Sequence, residues 1–309
     1  MKIYLVCDES GAKGYSNKTE KYEGETGVFA GVFIPENKIE DIREKLNNIA
    51  NSYFINGKQH ITDLPDPEKE SLRSDVYGII KDENLVCIHE AIHVEGFYAE
   101  HRRMDKIKND SKANVKSDIK ISGNPKHNSL HVSLFQGLFC KSIAYCLDTF
   151  GQDYELVFLS DNIDNPVLKN FKETAENIID FSPTEKKFTG YDTKKQEIVK
   201  RTMIISFEIP ESYGFLEIQN TEYEIEIEPK NSGLTLLADV LANSINYLFT
   251  SRKKNDIGKP LNDEKSIKDH PLINQFYGLM KENELAWVSD IIYMHSKEKE
   301  RNEQKTNNV

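Results

Sequence analysis

The stretch Met1-Lys-Ile-Tyr-Leu-Val-Cys-Asp-Glu-Ser-Gly11 decides how the rest of the chain is read. Ile3 to Cys7 is a short, nearly unbroken apolar run, the pattern of a central strand covered on both faces. Asp8 and Glu9 follow where such a strand should continue apolar, and Ser10-Gly11 opens a loop rich in Gly, Lys and Asn. A carboxylate at the end of a buried strand is costly to desolvate unless a cationic side chain, a backbone amide or a metal ion meets it. The plainer alternative is an Asx-type turn at Asp8 and Glu9.

Working outward, Gly27-Val-Phe-Ala-Gly-Val-Phe-Ile34 is a second strand stopped by Pro35, so the two strands read as a hairpin with a long polar tip. Ile39, Ile42, Leu46, Ile49 and Tyr53 recur at helical spacing over 37–54. Residues 56–66 are irregular, and Asp66-Pro67 starts a helix with Leu72, Val76, Ile79 and Ile80 inside. Residues 85–93 read as a third strand, 129–149 as a long helix apolar over much of its circumference, 154–159 as a fourth strand, and 165–180 as a helix. Residues 201–208 read as a fifth strand. The strict alternation of Glu222-Tyr-Glu-Ile-Glu-Ile-Glu228 predicts an edge strand with one wet, acidic face. Helices are expected over 234–249 and 271–282, with a final apolar piece at 286–294. A charged, disordered tail is expected from 296 to 309. This order makes an α/β fold with a mixed sheet and helices on both faces, a single domain over residues 1–295.

The 309 residues carry a net charge of −11, with 38% hydrophobic and 29% charged residues, as in an ordinary globular protein. The net charge argues against a simple basic nucleic-acid binder but not against local basic patches. Residues 101–127 hold Lys106, Lys108, Lys112 and Lys116 among eight basic residues, and read as a lysine-rich insertion, a candidate lid. A second basic cluster spans Lys186 to Arg201, and solvated lysine-rich loops explain either cluster equally well. The four cysteines lack paired metal-ligand spacing and are expected to be reduced and buried. No membrane-spanning stretch and no signal peptide are expected, so the expected location is the cytoplasm.

Ligands of open α/β sheets bind outside the carboxyl ends of the strands. Asp8 ends the first strand and Asp161 follows the fourth, so the two are expected to meet. Asp239 shares a helix stripe with Asn243 and Asn246, which a solvated face would equally explain. Carboxylates gathered this way repel unless a cation joins them, and Mg²⁺ or Mn²⁺ prefers such oxygen ligands. Glu9 and Glu228 are further candidate ligands, and His60, with Asp63, is a loop candidate for substrate contact. His89 and His93 share a strand face but lack a third ligand, so a structural role is expected.

Tyr4-Leu-Val-Cys-Asp-Glu-Ser-Gly11, followed by Gly31-Val-Phe-Ile-Pro35, resembles the opening of a prokaryotic family of uncharacterised proteins with a ribonuclease H-like fold. Ser232-Gly-Leu-Thr-Leu-Leu-Ala-Asp239 is similar to that family's closing Leu-Ala-Asp helix, Gln59-His-Ile-Thr-Asp63 to its short His motif, and Phe158-Leu-Ser-Asp161 to its acidic strand end. The resemblance spans about residues 1–250. It implies a ribonuclease H-like sheet and Asp8, Asp161 and Asp239 as catalytic metal ligands. The helix over 129–149 departs from the pattern by offering no Glu on its inner face. The expected function is a divalent-metal-dependent nuclease or phosphodiester hydrolase acting on DNA or RNA, with the lysines of 101–127 on phosphates. The alternative is a non-catalytic nucleic-acid or protein-binding accessory subunit that retains the fold. A homodimer or an accessory protein partner fits either reading.

Overall fold

The computed structural model describes residues 1–54, 60–114, 119–122, 127–161, 163–180, 184–205, 221–229, 232–281 and 286–307. In chain order the elements are β1 (Lys2–Gly11), β2 (Thr26–Pro35), α1 (Ile39–Tyr53), α2 (Asp66–Asp82), β3 (Val86–His93), α3 (Val94–Asn114), β4 (Ile119–Ser122), α4 (Leu130–Phe150) and β5 (Glu155–Ser160). They continue with α5 (Asn165–Ile179), β6 (Thr184–Asp192), β7 (Glu197–Ile205), β8 (Glu222–Ile227), α6 (Gly233–Thr250), α7 (Val288–Ile292) and α8 (Ser296–Asn307).

Five strands form a mixed sheet in the order β3-β2-β1-β5-β8. β1 runs antiparallel to β2, and β2 to β3, while β1, β5 and β8 are mutually parallel. The apolar run of β1 sits at the centre because both of its faces are covered. Val6 points to the side where Leu46 of α1, Val76 of α2 and Leu241 of α6 pack. Ile3, Leu5 and Cys7 point to the other side, against Phe135 and Leu138 of α4 and Phe171 of α5. Since strand side chains alternate, Asp8 falls on the α6 side and Glu9 on the α4 side. β8 lies at the sheet edge as its alternation predicts, with Ile225 buried and Glu222, Glu224 and Glu226 exposed.

Gly11 takes the chain off β1 at φ +79°, a conformation that L side chains rarely adopt, and a Cβ there would lie 2.5 Å from the Thr26 carbonyl oxygen. The chain thus leaves the strand directly after its acidic end.

Four segments take a form other than the expected one. The lysine-rich stretch is helical through Asn114 rather than a loop, because no Gly or Pro interrupts residues 97–122 and the side chains are strong helix formers. The fifth strand is β7, displaced to 197–205 and placed in a separate three-stranded sheet of order β4-β6-β7. A turn holds its hairpin: the Asp192 carboxylate accepts the backbone N–H groups of Lys194 and Lys195, and Gln196 takes a left-handed φ of 56°. The helix expected over 271–282 is absent from its described part, which has only a short 3-10 turn at Ile273–Gln275. There the outer edge of β3 competes for the backbone: the Tyr277 N–H donates to the Cys87 carbonyl at 2.9 Å. Ser296–Asn307 is helix rather than tail, started by the Glu95 carboxylate accepting the Ser296 N–H at 2.9 Å and tied down by a Lys297–Glu23 ion pair.

The cysteines are free as expected, but Cys140 is exposed while the other three are buried. Leu130–Phe150 is long and apolar enough to cross a membrane by composition, contrary to expectation, yet 67% of that window is buried inside the fold. Within it, Lys141 is buried and ion-paired with Glu90. It is a core helix between sheet and surface.

Candidate active site

The structure brings the three aspartates to one end of the sheet. β1 and β5 pair in parallel register up to Cys7 opposite Ser160, so Asp8 and Asp161 follow side by side on neighbouring strands. Neighbouring strands stand roughly 4.8 Å apart. α6 packs on the face to which Asp8 points, and Asp239, Asn243 and Asn246 are among its partly exposed positions. The rest of α6 is buried from Ser232 to Ala242 apart from Asp239. Asp239 lies close enough to Asp8 for its charge to act on it.

Asp8 is 8% exposed. Burial, and then the charges of Glu9, Asp161 and Asp239, push its carboxyl well above the usual carboxylate range, with only the Glu9 backbone N–H, donating to Oδ1 at 2.8 Å, acting the other way. Asp239 accepts the Ile61 N–H at 2.8 Å through Oδ2, and His60 Nδ1 stands 3.8 Å from the same oxygen. That contact raises the His60 pKa, against a smaller opposing effect of burial. His60 therefore sits at the site, placed by the 3-10 turn Ile61–Asp63. Gln59, the first residue of its motif, lies outside the described residues.

Glu9 faces the other way and belongs to a separate set. Lys13 donates to its Oε1, and His131, in the first turn of α4, approaches Oε2 at 3.6 Å. Burial alone would raise the Glu9 pKa, but His131, and then Lys13, outweigh it and hold it at about 2. α4 carries no glutamate, as expected, and its first-turn His131 meets a strand glutamate. Neither Lys13 nor His131 was singled out by the sequence. The one available signal was a histidine one residue into a helix otherwise apolar almost all round.

Glu228 is engaged elsewhere. Arg43 Nε lies 3.2 Å from its Oε1 and Arg43 Nη2 donates to Oε2 at 3.2 Å. Its backbone N–H donates to the Ser160 carbonyl at 2.8 Å, so it lies one strand further from Asp8 than Asp161 does. Of the expected phosphate contacts, Lys106 is exposed on α3, and Lys108 and Lys112 follow on the same helix backbone. Lys116 lies outside the described residues. His89 and His93 take structural roles. Their Nε2 atoms are each 3.0 Å from a carbonyl oxygen, of Leu261 and Lys259 respectively, and burial lowers both to a pKa of about 3.

Among the described residues, no three His, Cys, Asp or Glu side chains stand closed around one point as a ready-made ion site. The donor chemistry nevertheless suits a hard divalent cation: carboxylate oxygens, one of them buried and repelled by its neighbours. Such a cation would relieve the repulsion that Asp8 feels. No protein-family model matches the chain, and no curated protein matches it.

Proposed function

We propose that this protein is a divalent-metal-dependent nuclease with a ribonuclease H-like fold, in which Asp8, Asp161 and Asp239 hold Mg²⁺ or Mn²⁺. The observation that carries the reading is the placement of Asp8 and Asp161 at the carboxyl ends of adjacent parallel strands, with Asp239 on the helix packed over Asp8. The sheet order, with β2 antiparallel beside a central β1, and the resemblance of the opening and closing motifs support the ribonuclease H-like assignment.

The chain's own residues supply position and charge. Asp8 follows the apolar run of the central strand β1 and is buried. The Ile61 N–H fixes Oδ2 of Asp239. His60 places an imidazole of raised pKa at the rim, where a developing negative charge would find a proton donor. Lys106 on α3 supports phosphate contact, which makes binding sensitive to salt. A bound divalent ion would activate water and stabilise the leaving oxygen in phosphodiester hydrolysis.

The test is cleavage of single- and double-stranded DNA and RNA with Mn²⁺ and with EDTA. Cleavage is expected with Mn²⁺ only, and Asp161→Asn and Asp239→Asn should each lower the rate by about tenfold or more. Equal cleavage in EDTA would remove the metal from the account. The second reading, a nucleic-acid- or protein-binding accessory subunit, is favoured by the lack of a glutamate on α4 and by the open arrangement of the carboxylates among the described residues. Binding without cleavage under every condition would select it.

A further inference from the structure

Beside the acidic cluster, on the α4 side, lies a cleft of about 610 Å³ between the loop after β1, helix α3 and the start of α4. Lys13, on its rim, pairs with Glu9 and lies close enough to Asp8 and Asp161 to feel their charges, so cleft and cluster adjoin. One wall is a ladder of rings that climbs out of the core. Phe97 is buried, the His101 ring centroid lies 4.2 Å from it, and His127 stacks on His101 at 4.2 Å with an interplanar angle of 13°. His127 is the outermost ring of that ladder.

The wall is held in place before any ligand arrives. Asp105 Oδ1 lies 2.9 Å from His127 Nε2, which fixes the plane of the ring. The Tyr98 hydroxyl accepts the Tyr15 N–H at 2.6 Å and donates to the Tyr15 carbonyl at 3.1 Å, which pins the loop opposite. Arg102 Nη1 donates to the Lys18 carbonyl at 3.2 Å and so anchors the backbone that carries the Lys18 ammonium at the rim. Burial, and then the proximity of His127, hold His101 at a pKa of about 4, so the inner ring of the stack stays uncharged near neutral pH. A flat, fixed ring at the end of a ladder, a cation at the rim and a volume within the range of small-ligand sites together match one chemistry: a planar heterocycle carrying phosphate.

We propose that this cleft is a nucleotide subsite, which takes one unstacked base of a single-stranded nucleic acid against His127 with its phosphate at Lys18. The strand then runs on past Lys13 to Asp8. The destination of the strand rests on the nuclease reading, while the subsite itself rests on the cleft. Stacking of this kind tolerates any base, so the subsite selects for single-stranded structure rather than for sequence.

The test is fluorescence anisotropy of the full chain in EDTA, with fluorescein-labelled ten-nucleotide oligo-dA and oligo-rA. His127→Ala is expected to weaken binding by about tenfold or more, whereas His127→Phe, which keeps a ring, stays within about twofold of the native protein. Lys18→Ala should reduce the slope of log K against log salt by about one. Native-like binding by His127→Ala, equal weakening by His127→Phe, or no binding by the native protein would each overturn the subsite. If His127→Ala weakens binding while the native protein never cleaves, the subsite stands and the nuclease reading fails. If the native protein cleaves with Mn²⁺ while His127→Ala binds normally, the reverse holds.

Discussion

Asp8→Asn is expected to abolish Mn²⁺-dependent cleavage and, in the metal-free protein, to raise the melting temperature. These two effects have opposite signs for one reason. The Asp8 carboxylate is buried among like charges, and burial followed by Glu9, Asp161 and Asp239 drives its pKa well up. Its ionised form is therefore a liability in the folded chain unless a cation is bound. The asparagine keeps the 2.8 Å contact from the Glu9 N–H through its own oxygen and carries no charge. It also loses the anionic ligand, so the rate should fall by at least about a hundredfold. The pH dependence follows from the sign of the shift. A carboxyl with a raised folded-state pKa ionises first in the unfolded chain, so its contribution to stability falls as pH rises from the unfolded value through the folded one. Asp8→Asn lacks that fall, and the gap between the two melting temperatures in EDTA should widen from acid towards neutral pH. A variant that is less stable than the native protein at neutral pH would contradict the electrostatic account of the site.

The largest loss of stability is expected from Lys141→Met. Lys141 Nζ lies 2.7 Å from Glu90 Oε2, and each side chain is 2% exposed. The ammonium also donates to the His89 carbonyl at 2.7 Å and to Asn262 Oδ1 at 3.0 Å. The asparagine in turn bonds both backbone groups of Ala91, covering the outer edge of β3. Removing Lys141 leaves a buried carboxylate without its counter-charge, a loss of about 3–5 kcal/mol. Adding Glu90→Gln removes the stranded charge and should restore at least half of the loss, because a buried pair is worth far less than breaking it costs. Urea unfolding measures both, and Trp287, the single tryptophan, is a local reporter, since Lys141 Nζ lies 4.7 Å from its ring centroid. A double variant as unstable as Lys141→Met would show that packing rather than charge sustains this contact.

Much of the fold was legible because it is written in local pattern. The apolar run of β1 had to be covered on both faces, and it is. The alternating glutamates of β8 had to lie at an edge, and they do. Asp8 and Asp161 could be brought together by the rule for parallel strands alone. Asp239 could not be decided by periodicity, because a stripe of Asp, Asn and Asn reads the same whether it faces solvent or a cleft. The packing of α6 on β1 separates the two.

What escaped the sequence is long-range. Glu9 meets His131 across the whole first half of the fold, and no local pattern links a strand-end glutamate to the first turn of a distant helix. Glu228, a weaker candidate from its alternating strand, meets Arg43 through both its oxygens, a contact no local pattern announces. The segment over 271–281 carries helical spacing, but the open edge of β3 holds its backbone, a tertiary contact overriding a local preference. The ladder of Phe97, His101 and His127 joins a helix to a point many residues further on, and only the fold makes it one surface.

The most direct measurement is the anomalous difference density of crystals of the native protein soaked in Mn²⁺. A peak bounded by the carboxylates of Asp8 and Asp161, with Asp239 within the same site, is expected, and so is its loss in Asp8→Asn. Crystals with no peak there, or a peak that persists unchanged in Asp8→Asn, would contradict it.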